Sequence, residues 1–360
     1  MSGAIGQTGF GVLNQLLAGS SAVRQQLDTL TQQASNGLIA NTYAGLGDGT
    51  SVALNLQPQI AAVQTQQRNI DAATSRLGVT QTAMTQLQSI ASTFLADLNN
   101  LPGTAGSEVA SIAANAQSAL TQVANLLDTR DGNTYVFAGQ DTQNPPVPNP
   151  DGILSSGFAT QIATAVAGLT TNGATATAAS TLAVAGSNAA GISPFSTYLS
   201  QPAASLQVPF IQAGQREIVQ TGILASANTA VVSAGTSTTG SYMRDLMRAL
   251  ATIGSLTPAQ QNDPNFSALV QDTRSSLTGA VSAMADDAGV LGDTQSRLTG
   301  IQTGLGDTQT ALTTQVGNAE NVDMAATLSK LTQTQTQLQS SYQLIAGLSG
   351  LTLAKYLPGG

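Results

Sequence analysis

The chain of 360 residues contains no cysteine, no histidine and no tryptophan, and charged residues make up only 8% of it. Without cysteine there is neither a disulfide nor a thiolate nucleophile, and without histidine the usual imidazole base is missing. The common ligands of zinc and similar metals are missing with them. These absences predict a protein that is not an enzyme and has no metal ion or other cofactor.

Basic residues are scarce: eleven Lys and Arg stand against nineteen Asp and Glu, and the only lysines are Lys330 and Lys355. With no basic face to neutralise phosphates, nucleic acid is not an expected partner. No apolar run is long enough to span a bilayer, so membrane insertion is not expected either. Residues 1–15 lack the pattern of a cleavable secretory signal. We therefore expect a cytoplasmic protein, or one exported by a route that reads no hydrophobic signal.

One apolar stripe dominates the last forty residues, 318–358. Its members recur at alternating steps of four and three, as expected for a single face of a helix, with Gln335 at the one polar turn. The stripe consists of Met324, Leu328, Leu331, Leu338, Tyr342, Ile345 and Leu348. The residues between them are almost all Thr, Gln, Ser and Ala. Because such a helix is stabilised in water mainly by docking its apolar face, we expect it to pack against something else.

A second stripe of the same spacing lies near the other end of the chain. Its members are Leu13, Leu16, Ser20, Val23, Leu27, Leu30 and Ala34. Two stripes of equal period are best buried against each other or against copies in neighbouring subunits. The spacing alone leaves both arrangements open and favours the first, an intramolecular coiled coil that closes a monomer. The second is a polymer whose subunits share a core made from their terminal helices.

Helical periodicity extends over most of the remaining chain. It predicts helices at about 12–36, 54–100, 108–129, 242–256 and 265–316, in addition to the final helix. Gly37 stands where a left-handed cap would end the first helix. Residues 1–11 are glycine-rich without periodicity and predict a flexible segment. Residues 41–51 predict a loop, whose GLGDG sequence lacks the Lys and Ser/Thr of a phosphate-binding P-loop.

The middle of the chain has a different texture. Residues 134–138 are β-branched and aromatic and predict a short strand, and four prolines between positions 145 and 150 then mark a boundary. Residues 206–210, 217–220 and 230–233 predict further short strands. We therefore expect a small mixed or β-rich domain inserted in this region.

The predicted fold class is mainly α: a long antiparallel helical hairpin or coiled-coil rod built from both chain ends, with the inserted domain at its tip. This predicts three domains. Residues 1–45 with 317–360 form a terminal helical core, residues 46–145 with 240–316 form a helical rod, and residues 146–239 form a variable outer domain.

Four acidic residues were considered as a possible site: Asp286, Asp287, Glu320 and Asp323. Neighbours on a helix point in different directions, so the adjacent pair should not converge on one substrate. Solvated or capping roles are the better interpretation, and Asp323 fits the start of the last helix. No catalytic residue is predicted.

Two further groups have structural interpretations. Arg244, Asp245 and Arg248 lie on one short helix and predict a salt-bridged face. Tyr342 is the one aromatic residue of the C-terminal stripe, and it is interpreted as a packing residue rather than a ligand contact.

Several motifs resemble those of bacterial flagellins. Residues 31–37 (TQQASNG) and 42–47 (TYAGLG) are similar to the family's loop after the first helix, in its alphaproteobacterial form. Residues 322–325 (VDMA) resemble the entry to its C-terminal helix. The ending at 351–357 (LTLAKYL) and the stretch 131–142 (DGNTYVFAGQDT) are closer to hook–filament junction (hook-associated) proteins. Residues 36–41 lack the basic residue and acid pair of the more widespread flagellin loop.

The resemblance implies a structural subunit of the flagellum, exported unfolded through the flagellar secretion channel and assembled outside the cell into a structure used for motility. Its implied partners are copies of itself, other flagellar axial proteins (a hook-associated protein and flagellin) and an export chaperone. It also favours the polymer over the monomer, with the two stripes as the assembly interface. Three alternatives remain open: a filament-forming flagellin, a soluble coiled-coil adaptor or secreted effector, and an enzyme in the inserted domain.

Overall fold

The structure is a computed structural model. It describes the backbone of residues 5–103, 105–214, 217–229 and 233–354, and within these ranges the side chains of residues 14–347 except Pro102. The chain is mainly α-helical, which confirms the predicted fold class. Eight α-helices of the described residues are, in order, α1 (Ile5–Asn36), α2 (Gly49–Asn100), α3 (Gly106–Leu127), α4 (Gly157–Ala167), α5 (Leu169–Gly186), α6 (Tyr242–Gly254), α7 (Phe266–Glu320) and α8 (Met324–Ala354).

The boundaries differ from the predicted ones mainly at the first helix. It begins at Ile5, so the prediction of a flexible segment was wrong for residues 5–11, while residues 1–4 lie outside the described part of the chain. The predicted cap at the other end is confirmed: Gly37 has a φ of +73°, and its N–H donates to Gln33 O at 2.9 Å. Glycine adopts this left-handed conformation without steric penalty, so α1 ends where its sequence predicts.

The chain divides into two compact units. Unit 1 contains Met1–Gln64 and Leu305–Gly360, and unit 2 contains Thr65–Gly304. The finer division into three domains stays a prediction.

Unit 1 is organised around the packing of α1 against α8. The two segments that connect these helices to the rest of the unit are joined by backbone hydrogen bonds: Ile39 N–H donates to Glu320 O at 2.7 Å, and Val322 N–H donates to Gly37 O at 2.9 Å. Gly49, the first residue of α2, lies in close contact with Ala319 near the end of α7. A Cβ atom at Gly49 would lie 2.8 Å from Ala319 O, so only glycine fits there.

Unit 2 is organised around α6. All thirteen residues of this helix are buried, and α3, α4 and α5 pack against it. A helix covered on every side belongs to the centre of a core, whereas a surface helix keeps one polar face in water. The largest buried side chains around it include Phe158 and Phe266. Unit 2 therefore has a hydrophobic core of its own.

Two small antiparallel sheets lie in unit 2. The first pairs β1 (Arg130–Asp131) with β2 (Thr134–Tyr135), so the strand predicted at 134–138 is present but shorter. The second pairs β3 (Phe210–Gln212) with β4 (Ile218–Gln220), close to two of the predicted strands. The third prediction, 230–233, falls largely on residues 230–232, which lie outside the described residues. The region 146–239 is thus mixed, because α4 and α5 are helices that its irregular pattern did not predict.

Candidate assembly surface

The N-terminal stripe lies along the packed face of α1. Leu30 is 7% exposed, Leu16, Val23 and Leu27 are half-buried, and Ser20 is buried among them. Since α8 is the helix that packs against α1, these residues lie on the side that faces it. The side chain of Leu13 lies outside the described residues. The spacing of four and three residues therefore predicted the packed face of this helix.

The packed face of α8 is rotated relative to the predicted stripe. Three stripe residues, Leu331, Leu338 and Ile345, are half-buried, but the fully buried positions on the same face are Thr327 and Thr334, which are not stripe residues. Thr334 Oγ1 donates to Lys330 O at 2.8 Å, so its hydroxyl is satisfied within the helix. A small side chain with an internally bonded hydroxyl lets two helices approach closely without leaving an unpaired polar group.

The rotation leaves a second apolar row uncovered. Met324, Leu328 and Tyr342 belong to the predicted stripe, yet they are 40%, 48% and 41% exposed. Leu17 on α1 and Leu344 on α8 are also exposed, at 47% and 60%. The three stripe residues are therefore not covered within the single chain, and the assembly interface stays a prediction, while the side chain of Leu348 lies outside the described residues. Leu344 is two positions from Tyr342 and lies on the other side of α8, and Leu17 lies on α1, so neither belongs to the same row. We call Met324, Leu328 and Tyr342 the uncovered apolar row.

Tyr342 joins the two helices at their surface. Arg24 donates a hydrogen bond to the Tyr342 hydroxyl, and its guanidinium lies over the ring at 5.7 Å from the centroid. This hydrogen bond raises the pKa of the exposed Arg24 above its usual value. Tyr342 is therefore a residue of contact between α1 and α8, although much of its ring stays in solvent.

The acidic residues have two kinds of surroundings. Asp323 caps α8, because Ala326 N–H donates to its Oδ1 at 3.0 Å, and this confirms the predicted helix start. Asp286 is exposed, so the adjacent acids do not converge. Asp287, however, is only 3% exposed and accepts hydrogen bonds from Tyr242 Oη at 2.8 Å and Thr229 N–H at 3.1 Å. The prediction of a solvated or capping role was wrong for Asp287, since α7 is covered at that position.

The prediction of a salt-bridged face on α6 is also wrong, because the side chains of Arg244, Asp245 and Arg248 are buried. Arg248 pairs with Asp272 of α7 at 3.2 Å, and Asp245 accepts a hydrogen bond from Thr239 N–H at 2.8 Å and another from Thr238. Burial raises the pKa of the Asp245 carboxyl, and these hydrogen bonds partly oppose the rise. The charged side chains of α6 thus bind neighbouring chain segments to the core of unit 2.

Two searches bear on other kinds of site. Within the described ranges, no three side chains of the acidic, His and Cys types lie close enough together to bind a metal ion. In the same part of the chain, none of the helices combines the length and the hydropathy needed to cross a membrane.

Comparison with known proteins gave one finding, and it falls on this surface. Residues 275–357 match the family model described as the bacterial flagellin C-terminal helical region. The matched residues include much of α7 and all of α8, and with it the uncovered apolar row. No curated protein matches the chain. This segment is therefore similar to the C-terminal helical region of bacterial flagellins.

Proposed function

We propose that this chain is a self-assembling structural subunit of the bacterial flagellum, and that it is the subunit joining hook to filament. The observation that carries the assembly proposal is the uncovered apolar row on α8, in a segment that matches the flagellin C-terminal region. The role proposed for this surface is structural and requires no catalytic residue.

The exposure of the uncovered apolar row supports the proposal that another subunit covers it. Large apolar side chains left exposed along one face of a helix are typical of protein interfaces, and a helix pair so poor in charge gains little from solvent. Copies of the same chain carry the same surface and can bury it in a repeating contact. We propose that Leu16, Val23, Leu27, Leu30, Leu331, Leu338 and Ile345 hold the pair together, while Met324, Leu328 and Tyr342 contact neighbouring subunits. Leu13 and Leu348 extend the same two stripes.

The junction role depends on the resemblance at residues 131–142 and 351–357. A filament-forming flagellin is the second candidate, because the family match does not distinguish the two. A junction protein forms a short assembly of few copies, whereas a flagellin propagates into long tubes. The partners follow from the role: copies of this chain, a hook-associated protein and flagellin at either side, and a chaperone during export to the cell surface. We propose residues 146–239 as the outward-facing part.

The test is a charge placed on the uncovered row. Leu328→Asp changes a side chain that is already half exposed, so we expect the monomer to keep its helicity by circular dichroism. In an assembly the same carboxylate would be buried without a partner, at several kcal/mol. We therefore expect purified protein mixed with seeds to stop assembling, as seen by electron microscopy and sedimentation.

Leu154→Asp is the matched control, since Leu154 is similarly exposed at 43% but lies in the segment proposed to face outward. This variant should assemble normally. If Leu328→Asp assembles as well as the control, the proposed interface is wrong, and a soluble helical adaptor becomes the better interpretation. The length of the wild-type assembly decides between the two flagellar roles, because long tubes would contradict the junction.

A further inference from the structure

The starting observation is a buried arginine without a carboxylate partner. Arg244 of α6 is 7% exposed, and its guanidinium lies over the ring of Phe195 at 5.1 Å from the centroid. Ion pairs among the described residues join Arg248 to Asp272 and Arg297 to Glu217, whereas Arg244 takes part in none. Burial lowers the pKa of Arg244 to about 10, and the charge of the neighbouring Asp245, which is not hydrogen-bonded to it, partly opposes the fall, so the group still carries its charge at neutral pH.

The hydrogen bonds of Arg244 go to neutral oxygens. Nε donates to Ser226 O at 3.2 Å, and Nη1 donates to the carbonyl oxygens of Ala185 and Ser187 at 3.0 and 3.3 Å. Nη2 donates to Asn188 Oδ1 at 2.7 Å. A guanidinium has five N–H groups, so these four bonds leave one N–H of Nη2 without an acceptor among the described residues.

Arg244 lines a cavity of about 240 Å³ in which two more donors are unsatisfied. The side chains of Ser226 and Ser241 are 6% and 5% exposed, and neither hydroxyl has a hydrogen-bond partner in the described structure. The amides of Asn188 and Gln201 are exposed and stand at the rim. No acidic residue is among those that line the cavity. Its lining thus combines one buried positive charge with two serines whose buried hydroxyls have no partner, and a ligand would reach these hydroxyls after rotation about the Cα–Cβ bonds.

We propose that this cavity binds a small oxyanion: a phosphate, sulfate or carboxylate group. Such a group can accept hydrogen bonds from a guanidinium and from serine hydroxyls, and its charge would compensate that of Arg244. Several water molecules would also fit, at about 30 Å³ each, but water would satisfy the hydroxyls without neutralising the charge. A cation is disfavoured by the arginine, and an apolar ligand would leave all three donors unpaired.

The site is independent of the proposed assembly surface, since every residue that lines the cavity lies in unit 2 and outside the matched family region. It can therefore be tested on the monomeric full-length chain. Sodium phosphate, sulfate and acetate would each be titrated by calorimetry, with sodium chloride at equal ionic strength as the baseline. We expect saturable binding of at least one of the three, and their ranking separates tetrahedral anions from a carboxylate.

The assigning variant is Ser226→Ala combined with Ser241→Ala. Because it removes two unpaired buried hydroxyls, we expect a monomer at least as stable as the wild type in anion-free buffer. Loss of two hydrogen bonds to a charged ligand should weaken binding by at least about tenfold. Ser276→Ala is the matched control, because Ser276 has an equally buried and unpartnered hydroxyl in a different cavity. It should bind the anion as the wild type does.

A second variant avoids the core altogether. Asn188→Asp places a carboxylate at the exposed rim, next to Arg244 Nη2, and should act as a built-in anion. We expect it to raise the melting temperature and to abolish binding of the added anion. The proposal is overturned if none of the three anions binds saturably, or if both the double serine variant and Asn188→Asp bind as tightly as the wild type.

Discussion

Helices α6 and α8 differ in how much of their surface a single chain buries. Every residue of α6 is buried within unit 2, including two arginines and an aspartate. In α8, only Thr327 and Thr334 are buried among the residues with described side chains, and large apolar residues remain exposed. The core of unit 2 is complete within one chain, whereas the helix pair of unit 1 has a surface that a single chain leaves uncovered.

The difference extends to how polar groups are satisfied. Around α6, side chains bond to distant segments, as in the pairs Arg248 with Asp272 and Tyr242 with Asp287. Along α8, the hydroxyls of Thr332 and Ser340 bond to carbonyls of their own helix four residues earlier. Hydrogen bonds between distant segments fix one tertiary arrangement, whereas hydroxyl groups bonded within their own helix do not select a particular partner for that helix. This is the behaviour expected of an element that is completed by other copies.

The largest effect is expected at the buried ion pair of unit 2. Asp272→Asn keeps the shape of the side chain but removes the carboxylate charge that pairs with Arg248, whose side chain is 2% exposed. Breaking such a pair from one side destabilises a protein by roughly 3–5 kcal/mol. Urea unfolding followed by near-ultraviolet circular dichroism of the tyrosines would measure it, since Tyr242 is buried in unit 2. An unchanged free energy of unfolding would mean that this core does not depend on its charges.

A smaller, pH-dependent effect is expected at Asp128, which follows α3 and accepts a hydrogen bond from Val147 N–H at 2.8 Å. Burial raises the pKa of this carboxyl to about 6 in the folded protein, against a usual 3.8. Its contribution to stability is therefore fully present below about pH 4 and is lost as the pH rises through about 6. Asp128→Asn, which stays neutral, should be more stable than the wild type by roughly 1–2 kcal/mol near pH 8, allowing for partial solvent screening.

The same variant should match the wild type near pH 3, where the side chain at position 128 is largely uncharged in both proteins, folded and unfolded. Urea unfolding at the two pH values provides the comparison. A stability difference that is equal at both would contradict the assignment of the effect to this carboxyl.

The smallest effect is expected at the exposed counterpart of the buried pair. Arg297 and Glu217 approach to 3.7 Å, but their side chains are 54% and 44% exposed. An ion pair in water contributes about 0–1 kcal/mol, so Arg297→Gln should hardly change the free energy of unfolding. A loss as large as that of Asp272→Asn would show that exposure does not separate the two pairs.

Much of the helical frame could be predicted from the sequence, because periodicity is a local signal. The stripe of α1 and the glycine cap at Gly37 follow from the chain itself. The sequence predicted a helix at α8, but the face of this helix that packs against α1 is rotated relative to the predicted stripe. Spacing cannot distinguish a seam through Leu328 and Gln335 from one through Thr327 and Thr334, one position earlier, because a small hydroxyl residue can also occupy a packed position where two helices approach closely.

The core of unit 2 could not be predicted for a different reason. Arg244 and Arg248 lie four residues apart and read as the solvent face of a helix, and Asp287 reads as a surface acid. What buries them is the carbonyl end of α5, the loop that carries Ser226 and the packing of α7, all distant in sequence. Local sequence patterns cannot predict such contacts. The oxyanion cavity depends on the same long-range arrangement.

The most direct test of the contrast is amide hydrogen exchange measured on the monomer and on the seeded assembly. We predict that residues 242–254 are strongly protected in both states, because α6 is buried within one chain. Residues 14–34 and 324–347 should exchange much faster in the monomer and gain protection on assembly. Equal protection of these two segments in both states would show that the helix pair is already complete in one chain, and would contradict its role as an assembly surface.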